Sequence, residues 1–208
     1  AAFFNINLSA IFVILFSRKL LKLRLITLLS SILLIVIISF FNPIAKERVI
    51  DKTIKQLNII TSNGKINSKE LYIFSKEHTH HYISAYKMYL DNKILGVGVK
   101  NFRKFCKDEK YEISIWSCAP HPHNIYIQIL SETGVVGFLY LITVLFYFCK
   151  YMIKHLIFKI KGRYYFNDFE ICILSGIAIY LWPIIPTGNV FSNWLNIIMI
   201  LNIPIFIW

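Results

Sequence analysis

HPHNIYIQILSETGVVGFLYLITVLFYFCKYMI, residues 121–153, decides the fold. From Ile125 onward the stretch is apolar, with polar interruptions near its start. It exceeds the about 20 helical residues that cross the hydrocarbon core of a bilayer. It reads as a membrane-crossing helix, and at its mouth stands His121-Pro122-His123-Asn124. A titratable imidazole at the edge of a span is costly to keep there, which marks the junction as a site. The plain alternative for His123 is a hydrogen-bonded core histidine.

The rest of the chain has the same character. Its 208 residues are 56% hydrophobic and 16% charged, with a mean hydropathy of +0.57, too apolar for a soluble domain of this size. Further apolar runs cover 2–16, 25–41, 169–186 and 190–208, the first of them short. The expected fold is all-α: a polytopic helical membrane protein with a large loop, about 42–123, that contains amphipathic helices. No repeat or separate domain is evident. The chain opens Ala1-Ala2-Phe3-Phe4, with no basic flank before its first run and no small-residue cleavage pattern after it. It therefore reads as the C-terminal fragment of one integral membrane domain rather than as a signal peptide and mature protein.

Charge sets the orientation. The formal net charge of +12 would suggest nucleic acid in a soluble protein, but the short segments between runs hold much of it: Arg18, Lys19, Lys22 and Arg24, then Lys150, Lys154, Lys159, Lys161 and Arg163. Both groups fall on one side if each run crosses once, and the positive-inside rule makes that side cytoplasmic. Residues 42–123 then lie outside, in the periplasm of a bacterium. Their own basic excess is a solvated surface, or one set against anionic headgroups or a phosphate-bearing substrate.

In that loop, Asn42-Pro43 stops the second run, Lys46 to Leu57 shows helical spacing, Thr61 to Ser68 is a turn cluster, and about Lys69 to Leu90 is a second helical pattern suited to the membrane interface. Cys106 and Cys118 share an oxidising space with eleven residues between them, a separation that allows a disulfide. A zinc site is disfavoured because no Cys-x-x-Cys pair is present. His78, His80 and His81 read as exposed interfacial histidines, not as a metal site. Gly96-Val97-Gly98 lacks the third glycine of a dinucleotide fingerprint and any βαβ context. What remains is a glycine-permitted turn that delivers Arg103, with Lys100 or Lys104, to the same membrane edge as His123. The plain alternative for Arg103 is a solvated charge.

On a continuous helix, 100° per residue brings Gly134 and Gly137 within about 40° of His123. There they would admit a neighbouring helix. Glu132 would point to the opposite face and meet another span, as a structural anchor or as part of a substrate cavity.

His123-Asn124, nine residues, then Gly134-x-x-Gly137 resembles the signature of the O-antigen ligase and polymerase superfamily. Gly96-x-Gly98-x-x-x-Phe102-Arg103 and Pro186-Thr187-Gly188-Asn189-Val190-Phe191-x-Asn193-Trp194 look like that family too. The resemblance implies a multi-pass glycosyltransferase of the bacterial inner membrane with its catalytic side periplasmic. It would move a glycan from an undecaprenyl diphosphate carrier to a hydroxyl acceptor, such as a lipid A core sugar, another glycan or a protein, without metal, cofactor or nucleotide sugar. It also implies a further arginine ahead of the first run, before this chain begins. In that chemistry His123 takes the acceptor proton and Arg103 clamps phosphate oxygens. Lys100, Asn124 and Glu132 are the candidate substrate-binding residues, and Gly134 and Gly137 are structural. A single displacement inverts the anomeric carbon; retention would call for a carboxylate nucleophile, and the facing expected of Glu132 argues against it. O-antigen polymerase and protein O-oligosaccharyltransferase activities share these residues. A lipid-linked glycan transporter is the alternative from a different class, though the broken helices or paired repeats of a transporter are not visible.

Overall fold

The computed structural model describes residues 2–47, 51, 75–184 and 186–192. Every regular element among them is helical: α1 Ala2–Phe16, α2 Leu21–Phe41, α3 Pro43–Lys46, α4 Lys76–Asp91, α5 Phe102–Phe105, α6 Ile125–Ile160 and α7 Asp168–Tyr180. The all-α expectation holds. The 46–57 pattern beyond Glu47 apart from Asp51, the 61–68 turn cluster, residues 69–74 and the final run beyond Ser192 lie outside the described residues.

Two helices, Leu21–Phe41 and Ile125–Ile160, are long and apolar enough to cross a membrane. Only 6% of the most apolar stretch of α2 is buried. A helix that is apolar over most of its surface and largely uncovered by other described residues has little face for water, which is consistent with a membrane protein. Element limits differ from the hydropathy runs in both directions. The α2 helix begins at Leu21 and takes in Lys22 and Arg24, because long basic side chains reach polar surroundings from within a helical turn. The α6 helix passes Ile153 and ends at Ile160. Its 36 residues reach about 54 Å at 1.5 Å each, so it outlasts the hydrocarbon, and Gly162 at φ 72 follows its end. The α7 helix stops at Tyr180, short of the expected 186: Pro183 disfavours helical backbone at Trp182.

The helices bind at two ends. At the basic end, the Asp168 carboxylate accepts the backbone N–H groups of Arg18 and Lys19 at 2.7 and 2.9 Å and the Arg24 guanidinium at 3.3 Å. Lys159 donates to the carbonyls of Leu15 and Ser17, which end α1. His155, wholly buried, donates its Nε2–H to the Phe16 carbonyl at 2.8 Å and accepts the Phe166 N–H at Nδ1. Both basic segments thus meet at one end. Phe12 and Phe16 of α1 fill the core beside them with Met152, Ile171 and Leu174.

At the opposite end, Ile125, Leu141 and Leu181 form a second core. A third one, Ala85, Met88, Phe102, Cys106 and Tyr111, seats α4 and α5 on the start of α6 through Ile127. The buried face of α4 is His81, Ser84, Ala85 and Met88, the spacing of one helical stripe. Ile83, Tyr86 and Leu90 stay exposed on its other side.

Candidate functional site

The site is built on the N-terminus of α6. Orphan N–H groups there need acceptors, and Asn124 supplies one: its Oδ1 accepts the N–H groups of Tyr126 and Ile127 at 3.0 and 3.2 Å. Its Nδ2 donates to the Pro183 carbonyl at 2.8 Å. The Tyr126 hydroxyl donates to the Leu181 carbonyl, and the Thr187 N–H donates to the His123 carbonyl at 2.8 Å. The 121–124 turn is therefore clamped to the segment after α7. His123 itself sits at φ 61, a left-handed conformation that costs a residue with a Cβ of order 1–3 kcal/mol and persists only where the surroundings impose it.

Behind this turn the helix is broken. Gly134 has φ 66 and ψ −161, a region essentially confined to glycine. The chain from Lys93 to Gly98 enters the break with four backbone hydrogen bonds: Val97 N–H to Ser131 O at 2.9 Å, Gly98 N–H to Glu132 O at 3.0 Å, Val135 N–H to Lys93 O at 2.8 Å and Val136 N–H to Ile94 O at 3.4 Å. A Cβ on Gly134 would overlap the Ile94 carbonyl, and one on Gly96 the backbone of Glu132 and Thr133. This corrects the continuous-helix geometry in three respects. His123 precedes α6, so rotation per residue does not relate it to the glycines. The partner admitted by Gly134 is a loop backbone, not a helix. Gly137 faces Thr133 of its own helix.

Among the described residues Glu132 meets its own helix and the start of α5 rather than another span. It is 1% exposed; one carboxylate oxygen accepts the Phe102 N–H at 3.0 Å and the other accepts Gln128 Nε2 at 3.1 Å. Gln128 in turn donates to Asn189 Oδ1 at 2.8 Å and accepts the Val190 N–H at 3.1 Å. Through Glu132, α6 holds the start of α5, the short helix that carries Arg103 and Lys104. Arg103 is exposed, and no ion pair or hydrogen bond joins its guanidinium to a described residue. Lys100, at φ 61, lies at the turn before α5. Cys106 and Cys118 form a disulfide with Cα atoms 5.1 Å apart, which ties the end of α5 to the strand of loop that leads into His121. Arg103 and His123 thus hang from the same end of α6 on one braced scaffold.

The expectation of exposed interfacial histidines is overturned for His78 and His81. Their ring centroids lie 5.4 and 5.6 Å from that of His123, and the His121 ring lies 4.1 Å from it. Sequence separation hid this: the i, i+3 spacing of His78 and His81 was legible, but their partner lies more than 40 residues on. Burial, then the neighbouring His123, pushes His81 and His121 down to about 4. Burial is also the main cause that lowers His78 and the cause that lowers His123. All four rings are thus uncharged at neutral pH. The His121 Nε2 faces the Thr187 carbonyl at 3.3 Å, which fixes its proton there. Neither ring nitrogen of His123 is hydrogen-bonded to a described residue. Among the described residues no group of three or more His, Cys, Asp or Glu side chains is placed to hold a metal ion. A cleft of about 520 Å³ lies at the basic end, between Arg18, Tyr164 and Asn167, away from this cluster; Asp168 and Glu170 on its wall are taken up by backbone N–H groups.

Such an arrangement offers an uncharged imidazole and a guanidinium, neither of them bonded by a described residue, on a rigid support. Among protein families, the one described as O-Antigen ligase matches residues 1–142, which take in the loop, the histidine turn and the broken part of α6. No curated protein and no solved structure matches the chain.

Proposed function

The chain belongs to the O-antigen ligase family, and from that premise we propose that it moves a glycan from an undecaprenyl diphosphate carrier to a hydroxyl acceptor, a lipid A core sugar in O-antigen ligation. The family's activity is that of membrane glycosyltransferases of ligase and polymerase type. One observation carries the finer reading: His123, uncharged and with both ring nitrogens open among the described residues, stands in a braced turn on the same end of α6 as Arg103, whose guanidinium is bonded by none of them.

His123 accepts the proton of the acceptor hydroxyl as its oxygen attacks the anomeric carbon. The bond from that carbon to the diphosphate oxygen breaks as the new one forms, and the carrier departs as the diphosphate. Arg103 holds phosphate oxygens with paired, charge-assisted hydrogen bonds, and Lys100 adds charge beside it. A single displacement inverts the carbon, and the engaged carboxylate of Glu132 supports this over a covalent intermediate. Asn124 and Glu132 act by positioning the turn and α5, since their polar atoms are already bonded. The basic end faces the cytoplasm of the inner membrane and the histidine end the periplasm.

The test is complementation of a deletion strain with the intact protein. His123→Ala abolishes lipid A-linked glycan at unchanged membrane abundance, and Arg103→Lys lowers it because the planar fork is lost. Full glycan in the His123 variant refutes the assignment.

A further inference from the structure

His78 and His81 take no part in the chemistry above, yet they close one side of it. They lie one turn apart on α4, with their own centroids 6.0 Å from each other and both within 6 Å of His123. His81 is 8% exposed, and its Nδ1 has no hydrogen-bond partner among the described residues. A buried polar atom left unpaired is costly, so a group from the site is the natural partner for it. The Nδ1 of His78 faces the Ser75 hydroxyl at 2.6 Å, while that hydroxyl oxygen also accepts the His78 N–H at 3.3 Å.

We infer that His78 and His81 complete the His123 site: both wall its ring from solvent, and the Nδ1 of His81, as an N–H donor, meets a lone pair of the hydroxyl whose proton His123 takes. This rests on the reading of His123 as the proton acceptor. The choice of imidazole for the wall follows from what the base needs. A carboxylate against His123 would keep it protonated at rest, and an aliphatic wall would leave nothing to bond a hydroxyl. Burial opposes protonation of each of these rings, His123 included, and a charge on His123 opposes it on His78 and His81. Among the described residues, few groups face the cluster. From α4, Glu77 favours charge on His78, while His80 disfavours it on His81; Tyr82 lies 6.3 Å from His78. From the turn comes His121, and from the segment after α7 the Thr187 carbonyl. The proton taken by His123 leaves for solvent or for the departing diphosphate.

Diethyl pyrocarbonate, which modifies only uncharged imidazole, tests this without substrate. The intact protein in native membranes is treated across pH 5–8, and modification of the His123 peptide is read by mass spectrometry. Taking the ratio of the pH 6 rate to the pH 8 rate removes differences in access. In the wild type the midpoint lies below the free-histidine value of about 6.5. In the His78→Ala/His81→Ala protein it rises toward about 6.5, and the ratio falls roughly threefold for a one-unit move. An unchanged ratio overturns the inference. Should the double variant fail to accumulate, His81→Leu keeps bulk and removes Nδ1. It then loses glycan transfer at every pH, and His81→Asn, whose amide occupies the place of Nδ1, recovers it; undiminished transfer in His81→Leu overturns the role of that nitrogen. Because the reagent reports on the ring alone, a His123→Ala protein that still transfers glycan defeats the functional reading without altering this result.

Discussion

At the scale of single residues, His123 was legible because an ionisable group at the edge of an apolar run is improbable without a use. Arg103 was legible as a charge set up by a glycine turn. The partners of both were not, since they depend on where α4 and α5 come to rest. Asn124 and Glu132 show the same limit: residue type suggested substrate contact, whereas their atoms cap α6 and anchor α5. The histidines also make the loop pH-sensitive. In an opened loop each imidazole titrates near 6.5, while in the folded loop His81 and His121 are held to about 4. Between those values the opened loop binds more protons, so stability falls as pH drops from 6.5 toward 4. Hydrogen exchange on the intact protein between pH 7 and 5, corrected for intrinsic rates, therefore shows residues 75–123 losing protection while the α1–α7 contact keeps its own. Equal behaviour of the two regions contradicts the cluster's burial.

At the scale of elements, hydropathy located the helices and the limits Ala2, Phe16, Phe41 and Ile125, but missed three ends: Leu21 opens a turn that takes in Lys22 and Arg24, Gly162 follows Ile160 and Pro183 follows Tyr180. The glycine spacing was visible, but its purpose was not. Gly134 exists to let the 93–98 backbone into a broken α6, which a one-dimensional rotation argument cannot find. Two substitutions separate these readings. Gly134→Ala meets both the Ile94 backbone and a forbidden φ, at a cost of roughly 2 kcal/mol or more, and exposes the loop to protease. Gly137→Ala meets the Thr133 side chain, its Cβ included, and Ile129, both on its own helix and neither in the 93–98 loop, so its strain stays within α6 and leaves the loop as resistant as in the wild type. Similar sensitivity in the two variants contradicts the packing described.

At the scale of the whole molecule, the antiparallel arrangement was legible from charge: both basic segments meet around Asp168 and Lys159, and the histidine turn lies at the other end. Placing the histidine end outside the cell follows from the positive-inside rule and is tested by thiol labelling. With the exposed Cys149 and Cys172 replaced by Ser, a cysteine at Lys107 is labelled by an impermeant reagent in intact spheroplasts, and one at Lys161 only after permeabilisation. The reverse pattern would put the site on the wrong face. The central claim, that His123 is the base of a glycan transfer, is met most directly by undecaprenyl diphosphate release from its oligosaccharide conjugate. The purified intact protein, reconstituted in liposomes with a hydroxyl acceptor, is the system to measure. Loss of a general base lowers such a rate by about 10²–10⁴-fold. That drop in the His123→Ala protein, with carrier binding unchanged, is the predicted result; release at the wild-type rate would contradict the account.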